Sequence, residues 1–354
     1  MIGTSKYFRT IVRHFFFWSL AILLWTLIRM VGVDHQSEMD LLKYARFLLV
    51  SSVFAGFIFG SVEFAMDHFF YKRISFSKIV VLRATMFLLA TMLITLLSIW
   101  NLKRIMEINM SQEGLTDSRL YSAQMIVLIF YCFLVGFLID FIREIEKRFG
   151  PGNLRKMLSG KYYSPKEEHR IFMFLDLHNS TGIAEKLGHY KYSQLIQDCF
   201  QDISILVSEF KASIYQYVGD EIVLTWTTKE GIKHDNCIKL YFAYRNNLNR
   251  KKKYFEQNFG LFPQFKAGLE AGAVMVAEVG DVKREIAYHG DVLNTASSIQ
   301  KCCNQFNKDL LISENLKAFL SESLRENTHM IGDIQLKGKQ DTARLYFINQ
   351  PSKL

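Results

Sequence analysis

Asp176 and Asp220 are the residues whose surroundings could most readily do chemistry. Five apolar residues, Ile171 to Leu175, lead straight into Asp176, so a buried strand would carry that carboxylate to its own exposed end. Ile214 to Val218 reads as a second strand, Gly219-Asp220 as a tight turn and Glu221 to Trp226 as the returning strand, which sets Asp220 at a hairpin tip. Taken singly, either aspartate is an ordinary solvated turn residue. If their strands are neighbours, the two carboxylates converge at one sheet edge, where hard oxygen ligands can hold Mg2+ against nucleotide phosphates. Asn179, Ser180 and Thr181 follow as good helix N-cap types, so free backbone N–H groups would form an anion cradle beside the carboxylate.

From about Lys166 to Asn349 the sequence resembles the catalytic domain of the class III adenylate/guanylate cyclases. FLDLHNST, YVGDEI, FKAGLEAG, YHGDVLNTAS and LKGK carry the resemblance, in the family's order and at its spacing. It implies two Mg2+ or Mn2+ ions per active site, held by Asp176, the backbone carbonyl of Leu177 and Asp220. It also implies that Asn294 positions the ribose, that Lys337 contacts the triphosphate, and that a homodimer completes the site. The product would be 3',5'-cyclic AMP, made from ATP with release of pyrophosphate.

Three positions depart from the family's pattern. Ser298, one turn beyond Asn294 on the same helix face, stands where an arginine usually stabilises the reacting phosphate; losing such a contact costs ~10²–10³ in rate. Lys301 is either a partial substitute or an exposed surface lysine. Gln216 stands where adenylate cyclases commonly carry lysine and guanylate cyclases glutamate, and Ala287 replaces the base-reading aspartate. A glutamine amide can both donate to and accept from adenine, which favours ATP over GTP, unless Gln216 simply faces solvent. The alternatives are a weak or inactive cyclase-like nucleotide-binding regulatory module, a guanylate cyclase, or a transporter or sensor whose cytoplasmic domain only dimerises.

The elements that position these residues form one part of a more apolar chain. Half of the 354 residues are hydrophobic, 30 are Phe and mean hydropathy is positive, which points to a membrane portion. The net charge of +9 does not indicate nucleic acid, because the basic residues flank apolar spans or are scattered; the run at Arg245 to Lys253 reads as a solvated face. The five cysteines show no CxxC spacing and are expected to be reduced.

Hydrophobic runs predict helical spans at about 15–33, 47–70, 84–102 and 120–139, each near the ~20 residues that cross a bilayer. The first is read as a retained anchor, since no cleavage site follows it. Asp34 to Asp40 is acidic, Lys72 to Arg83 basic and Lys103 to Arg119 balanced, which puts both termini in the cytoplasm of a multi-pass inner-membrane protein. Glu63, Asp67 and His68 share a face of the second span. They are either a site for an unidentified membrane or extracytoplasmic ligand or, more simply, side chains snorkelling toward Lys72 and Arg73.

The sequence thus predicts a multi-domain chain: an all-α four-helix transmembrane domain over 1–142, a coupling linker over 143–165 and an α+β ferredoxin-like nucleotidyl cyclase domain over 166–354. DFIREIEKR should extend the last span as a charged helix until Gly150-Pro151-Gly152 breaks it. Within the α+β part, helices are expected at Thr181 to Phe210, Ile232 to Phe255 and Asp291 to Cys303. Strands are expected through PQFKAGLEAGAVMVAEVG, with close backbone approaches at Gly268 and Gly272, and on either side of Lys337-Gly338-Lys339.

Overall fold

The computed structural model describes residues 2–30, 41–66, 82, 85–94, 96–97, 100, 118–150, 152–336 and 342–350. Two compact units divide the chain, Met1–Glu144 and Ile145–Leu354.

The first unit is helical: α1 (Ile2–Met30), α2 (Leu41–Ala65), α3 (Thr85–Ile94) and most of α4 (Ser118–Phe149). Among the described residues one stretch, Leu48–Ala65 within α2, is long and apolar enough to cross a membrane; Thr10–Trp25, Thr85–Ile94 and Ile129–Ile139 are apolar but shorter. Residues 31–33, 67–70, 84, 95, 98–99 and 101–102 lie outside the described residues, so the four expected spans are not all represented in full.

α1 and α2 touch backbone to backbone. A Cβ on Gly56 or Gly60 would stand 2.9 Å from the Cα of Phe15 or Ile11, which is the close approach that a small-xxx-small spacing allows. Trp18 stacks on Phe59 with centroids 4.3 Å apart, and both are buried. Glu63 does not snorkel. It is buried, and Arg13 and the His14 ring bond its two carboxylate oxygens, so the protein rather than water solvates its charge. Asp67 and His68 lie outside the described residues.

The second unit takes up the last residues of α4, which ends at Phe149, just before Gly150 with φ +85°. α5 (Asn153–Leu158) leads into β1 (Lys166–Leu177), followed by α6 (Ser180–Glu209), β2 (Ser213–Val218) and β3 (Glu221–Thr227). The expected helix over 232–255 is instead three pieces, α7 (Thr228–Ile232), α8 (Asn236–Arg250) and α9 (Lys252–Phe259). Asp235 separates α7 from α8, since its backbone is left-handed and its buried carboxylate accepts from the Ser321 N–H and hydroxyl, and Lys251 separates α8 from α9. β4 (Phe265–Val279), β5 (Glu285–His289), α10 (Asp291–Phe306), β6 (Leu310–Ser313), α11 (Glu314–Phe319), α12 (Glu322–Glu326), β7 (Thr328–Gln335) and β8 (Thr342–Ile348) complete the unit.

Among the described residues one sheet runs β2-β3-β1-β4-β6-β8-β7, with β5 also paired to β4, and of these pairings only β4–β6 is parallel. β1 at its centre buries both faces. Ile171, Met173 and Leu175 point into a core with residues of α6, α8 and α9, whereas Phe172 points to the other side, where Val292 and Ala296 of α10 cover it. Each such side chain, fully withdrawn from water, contributes about 1.5–3 kcal/mol. This is the expected α+β arrangement, and its sandwiching of β1 leaves that strand's last turn-facing residues as the accessible chemistry.

Candidate active site

Asp176 is the last residue but one of β1. Pairing sets it opposite Glu221 of β3 on one side and Lys266 of β4 on the other, so all three side chains leave the sheet on the α10 face. The tight turn after β2, with Gly219 at φ +62°, returns the chain so that Asp220 comes beside Asp176. Burial, and after it the charge and contact of Asp220, raise Asp176 well above the ordinary carboxylate range. The Gln300 amide and the Leu177 N–H oppose that rise. Asp220 Oδ2 is buried without a hydrogen-bond partner among the described residues. Glu221 is pushed up to about 7 by burial and then by Asp176, against the pull of Lys301.

A buried carboxylate oxygen with no donor, beside a second carboxylate whose ionisation it opposes, is a site short of positive charge. A divalent cation fits it. Among the described residues no group of three or more His, Cys, Asp or Glu is placed to hold a metal, so further coordination would come from backbone carbonyl, nucleotide and water.

The N-cap expectation at Asn179 is not met. Asn179 sits at the cap position with φ +55° and its side chain makes no cap bond. The N–H groups of Ser180 and Thr181 in the first turn of α6 are still the ones that helix geometry leaves unpaired. A cleft of about 280 Å3 opens along this turn, lined by His178, Asn179, Gly182, Lys186, Phe262 and Gln264. Tyr192 reaches the same region: its phenol meets the Ser180 side chain, and burial and then Asp220 raise its pKa.

Of the other sequence-derived positions, none among the described residues hydrogen-bonds the acid pair. Asn294 is exposed and Ser298 half-buried on α10; among the described residues neither hydrogen-bonds Asp176 or Asp220. Gln216 is exposed on β2 opposite Val223, just past an irregularity in the register. Ala287 is buried on β5 opposite Ala277. Lys337 lies outside the described residues.

Gln300, Glu221 and Tyr192 belong to the site and were not read from the sequence. Gln300 Nε2 donates to Asp176 Oδ2 at 3.2 Å, a contact between residues 124 positions apart. Glu221 had a visible signal, since it follows Asp220 directly and the strand alternation could have placed it. Tyr192 depends on Gly188, whose φ of +70° kinks α6.

An acidic end of a mixed sheet, with a helix start beside it, is the candidate site of this α+β domain. The chain belongs to the adenylate and guanylate cyclase catalytic domain family, whose family model matches residues 162–350. Adenylate cyclase 2 of Rhizobium meliloti (strain 1021) is 28% identical over 228 residues, which is 64% of this chain and 62% of that protein, so the match spans less than two thirds of the relative's length. Two solved structures of a bacterial light-regulated adenylyl cyclase share the fold, each at 18% identity and a TM-score of 0.53. One match covers 61% of this chain and 62% of that one, the other 68% and 66%.

Proposed function

We propose that this protein is a membrane-anchored adenylate cyclase that converts ATP to 3',5'-cyclic AMP and pyrophosphate at the interface of a homodimer. The observation that carries the reading is the meeting of Asp176 with Asp220, whose buried Oδ2 has no partner among the described residues. Two Mg2+ or Mn2+ ions, held by Asp176, the Leu177 carbonyl and Asp220, would supply charge neutralisation of the phosphates and a more acidic ribose 3'-hydroxyl. The first-turn N–H groups at Asn179, Ser180 and Thr181 cradle phosphate oxygens. Asn294 orients the ribose, Lys337 adds positive charge at the triphosphate, and Gln216 offers adenine a donor and an acceptor where Ala287 offers none. The name of the Rhizobium meliloti relative supports the choice of ATP.

The membrane anchor rests on α2 and on the many large apolar side chains that α1, α2 and α4 expose, among them Phe16, Leu20, Phe57, Phe130 and Phe137. In this reading four helices at about 15–33, 47–70, 84–102 and 120–139 lie in the inner membrane with both termini cytoplasmic. They pass a signal through 143–165 to the catalytic domain of 166–354.

The full chain, purified in detergent and supplied with ATP or GTP and Mg2+ or Mn2+, is expected to form cyclic AMP from ATP, and Asp220→Ala is expected to reduce it to background. Equal cyclic AMP from both proteins would sink the enzyme reading. Ser298 and Ala287 favour a second reading, a catalytically weak nucleotide-binding regulatory module; nucleotide binding with no product from the wild-type chain would select it.

A further inference from the structure

Gln300 lies two residues beyond Ser298 on α10 and is 3% exposed. Its position is set by Gly268 on β4. A Cβ there would stand 2.2 Å from the Gln300 backbone nitrogen and 2.7 Å from the Ala296 carbonyl oxygen, so helix backbone rests directly on strand backbone. The next residue of β4 facing α10 is Lys266, the register partner of Asp176. The Gln300 side chain therefore starts low over the sheet and within reach of Asp176 Oδ2, to which it donates at 3.2 Å. Neighbouring contacts fix the same turn of the helix: Lys266 Nζ donates to Asn304 Oδ1 at 3.0 Å, and Cys303 Sγ donates to the Ala267 carbonyl at 3.3 Å.

A lysine or arginine at 300 would compensate Asp176 more fully than an amide does. It would also compete with an incoming cation for the same charge. An amide donates a hydrogen bond without cancelling either negative charge, so it fixes one oxygen and leaves the pair electrostatically unsatisfied. We infer that Gln300 is a positioning residue for divalent-cation binding: its amide holds Asp176 Oδ2 and so fixes the orientation of the carboxylate beside Asp220. The inference rests on the reading of Asp176 and Asp220 as cation ligands.

The test is Mn2+ binding to the full chain in detergent without nucleotide, with free Mn2+ read from its electron paramagnetic resonance signal. Gln300→Met keeps the volume and removes the amide. Its Mn2+ affinity is expected to fall about 10-fold to 100-fold, as for other groups that orient a metal ligand, while its unfolding midpoint in EDTA stays near that of the wild type. Gln300→Asn, one methylene too short to reach, is the second variant should methionine disturb the packing, and the same loss is expected. Asp220→Ala separates the two readings. Wild-type Mn2+ affinity in Asp220→Ala would remove the cation site itself. Loss in Asp220→Ala with wild-type affinity in Gln300→Met or Gln300→Asn would leave the cation site standing and overturn the role of Gln300.

Discussion

Glu63, buried in the helical unit, and Asp176, half-buried in the α+β unit, are both carboxylates shielded from water, and the chain treats them differently. Glu63 is held by a guanidinium and an imidazole, so its charge is answered within the protein. Asp176 faces a second carboxylate and receives a neutral amide and a backbone N–H. The first arrangement consumes its charge in packing α1 against α2. The second keeps its charge in reserve, at a cost in stability, for something that arrives from outside the chain.

That contrast can be broken most forcefully from the compensated side. Glu63→Ala leaves the buried His14 without its hydrogen-bond partner, while Arg13, 44% exposed, can turn to water, so the cost is about 1–3 kcal/mol. The loss should appear as a lower unfolding midpoint, followed by the fluorescence of Trp18 and the other tryptophans. An unchanged midpoint would show that the pairing is incidental.

Ser298→Arg sharpens the other side by adding the positive fork that this α10 lacks. If Ser298 occupies the phosphate-stabilising position, cyclic AMP formation should rise about 10-fold to 100-fold, and a rate equal to wild type would argue against that placement.

The smallest effect is a pH dependence. Asp176 and Glu221 both titrate above their unfolded values, so between about pH 4 and pH 7 the folded state binds more protons than the unfolded one. The metal-free chain should therefore lose stability as pH rises through that window, and Mn2+ should restore more of it at pH 8 than at pH 5. Asp220→Asn removes the like charge, so in EDTA it should flatten the slope and raise the midpoint while abolishing activity. A slope as steep in Asp220→Asn as in wild type would mean that the carboxylates do not feel each other.

Much of the catalytic unit was legible because its signals are local. The apolar run before Asp176 and the Gly-Asp turn before Glu221 specify a strand and a hairpin within a few residues each, and the glycines in FKAGLEAG correctly marked where α10 comes close. Gly272 meets Val292, and Gly268 meets the α10 backbone itself. What stayed hidden depends on partners far along the chain. Nothing near Gln300 announces Asp176, and nothing near Glu63 announces Arg13 and His14, which are 50 and 49 positions away. Asn179 misled for a different reason: its side-chain type suits a cap, but its left-handed backbone carries the chain from strand to helix.

Gly188 divides α6 into unequal arms. Every fully buried residue of the helix, from Leu195 to Val207, lies beyond it, and the arm that begins at Ser180 contributes none. A methyl group at 188 would meet no neighbour, so the glycine is there for its backbone angle and not for lack of room. The arm that begins at Ser180 meets the hydrophobic core only through the half-buried Ile183 and Leu187, so its amides should exchange with solvent deuterium before those of the distal arm, which marks it as the less firmly held part of the helix.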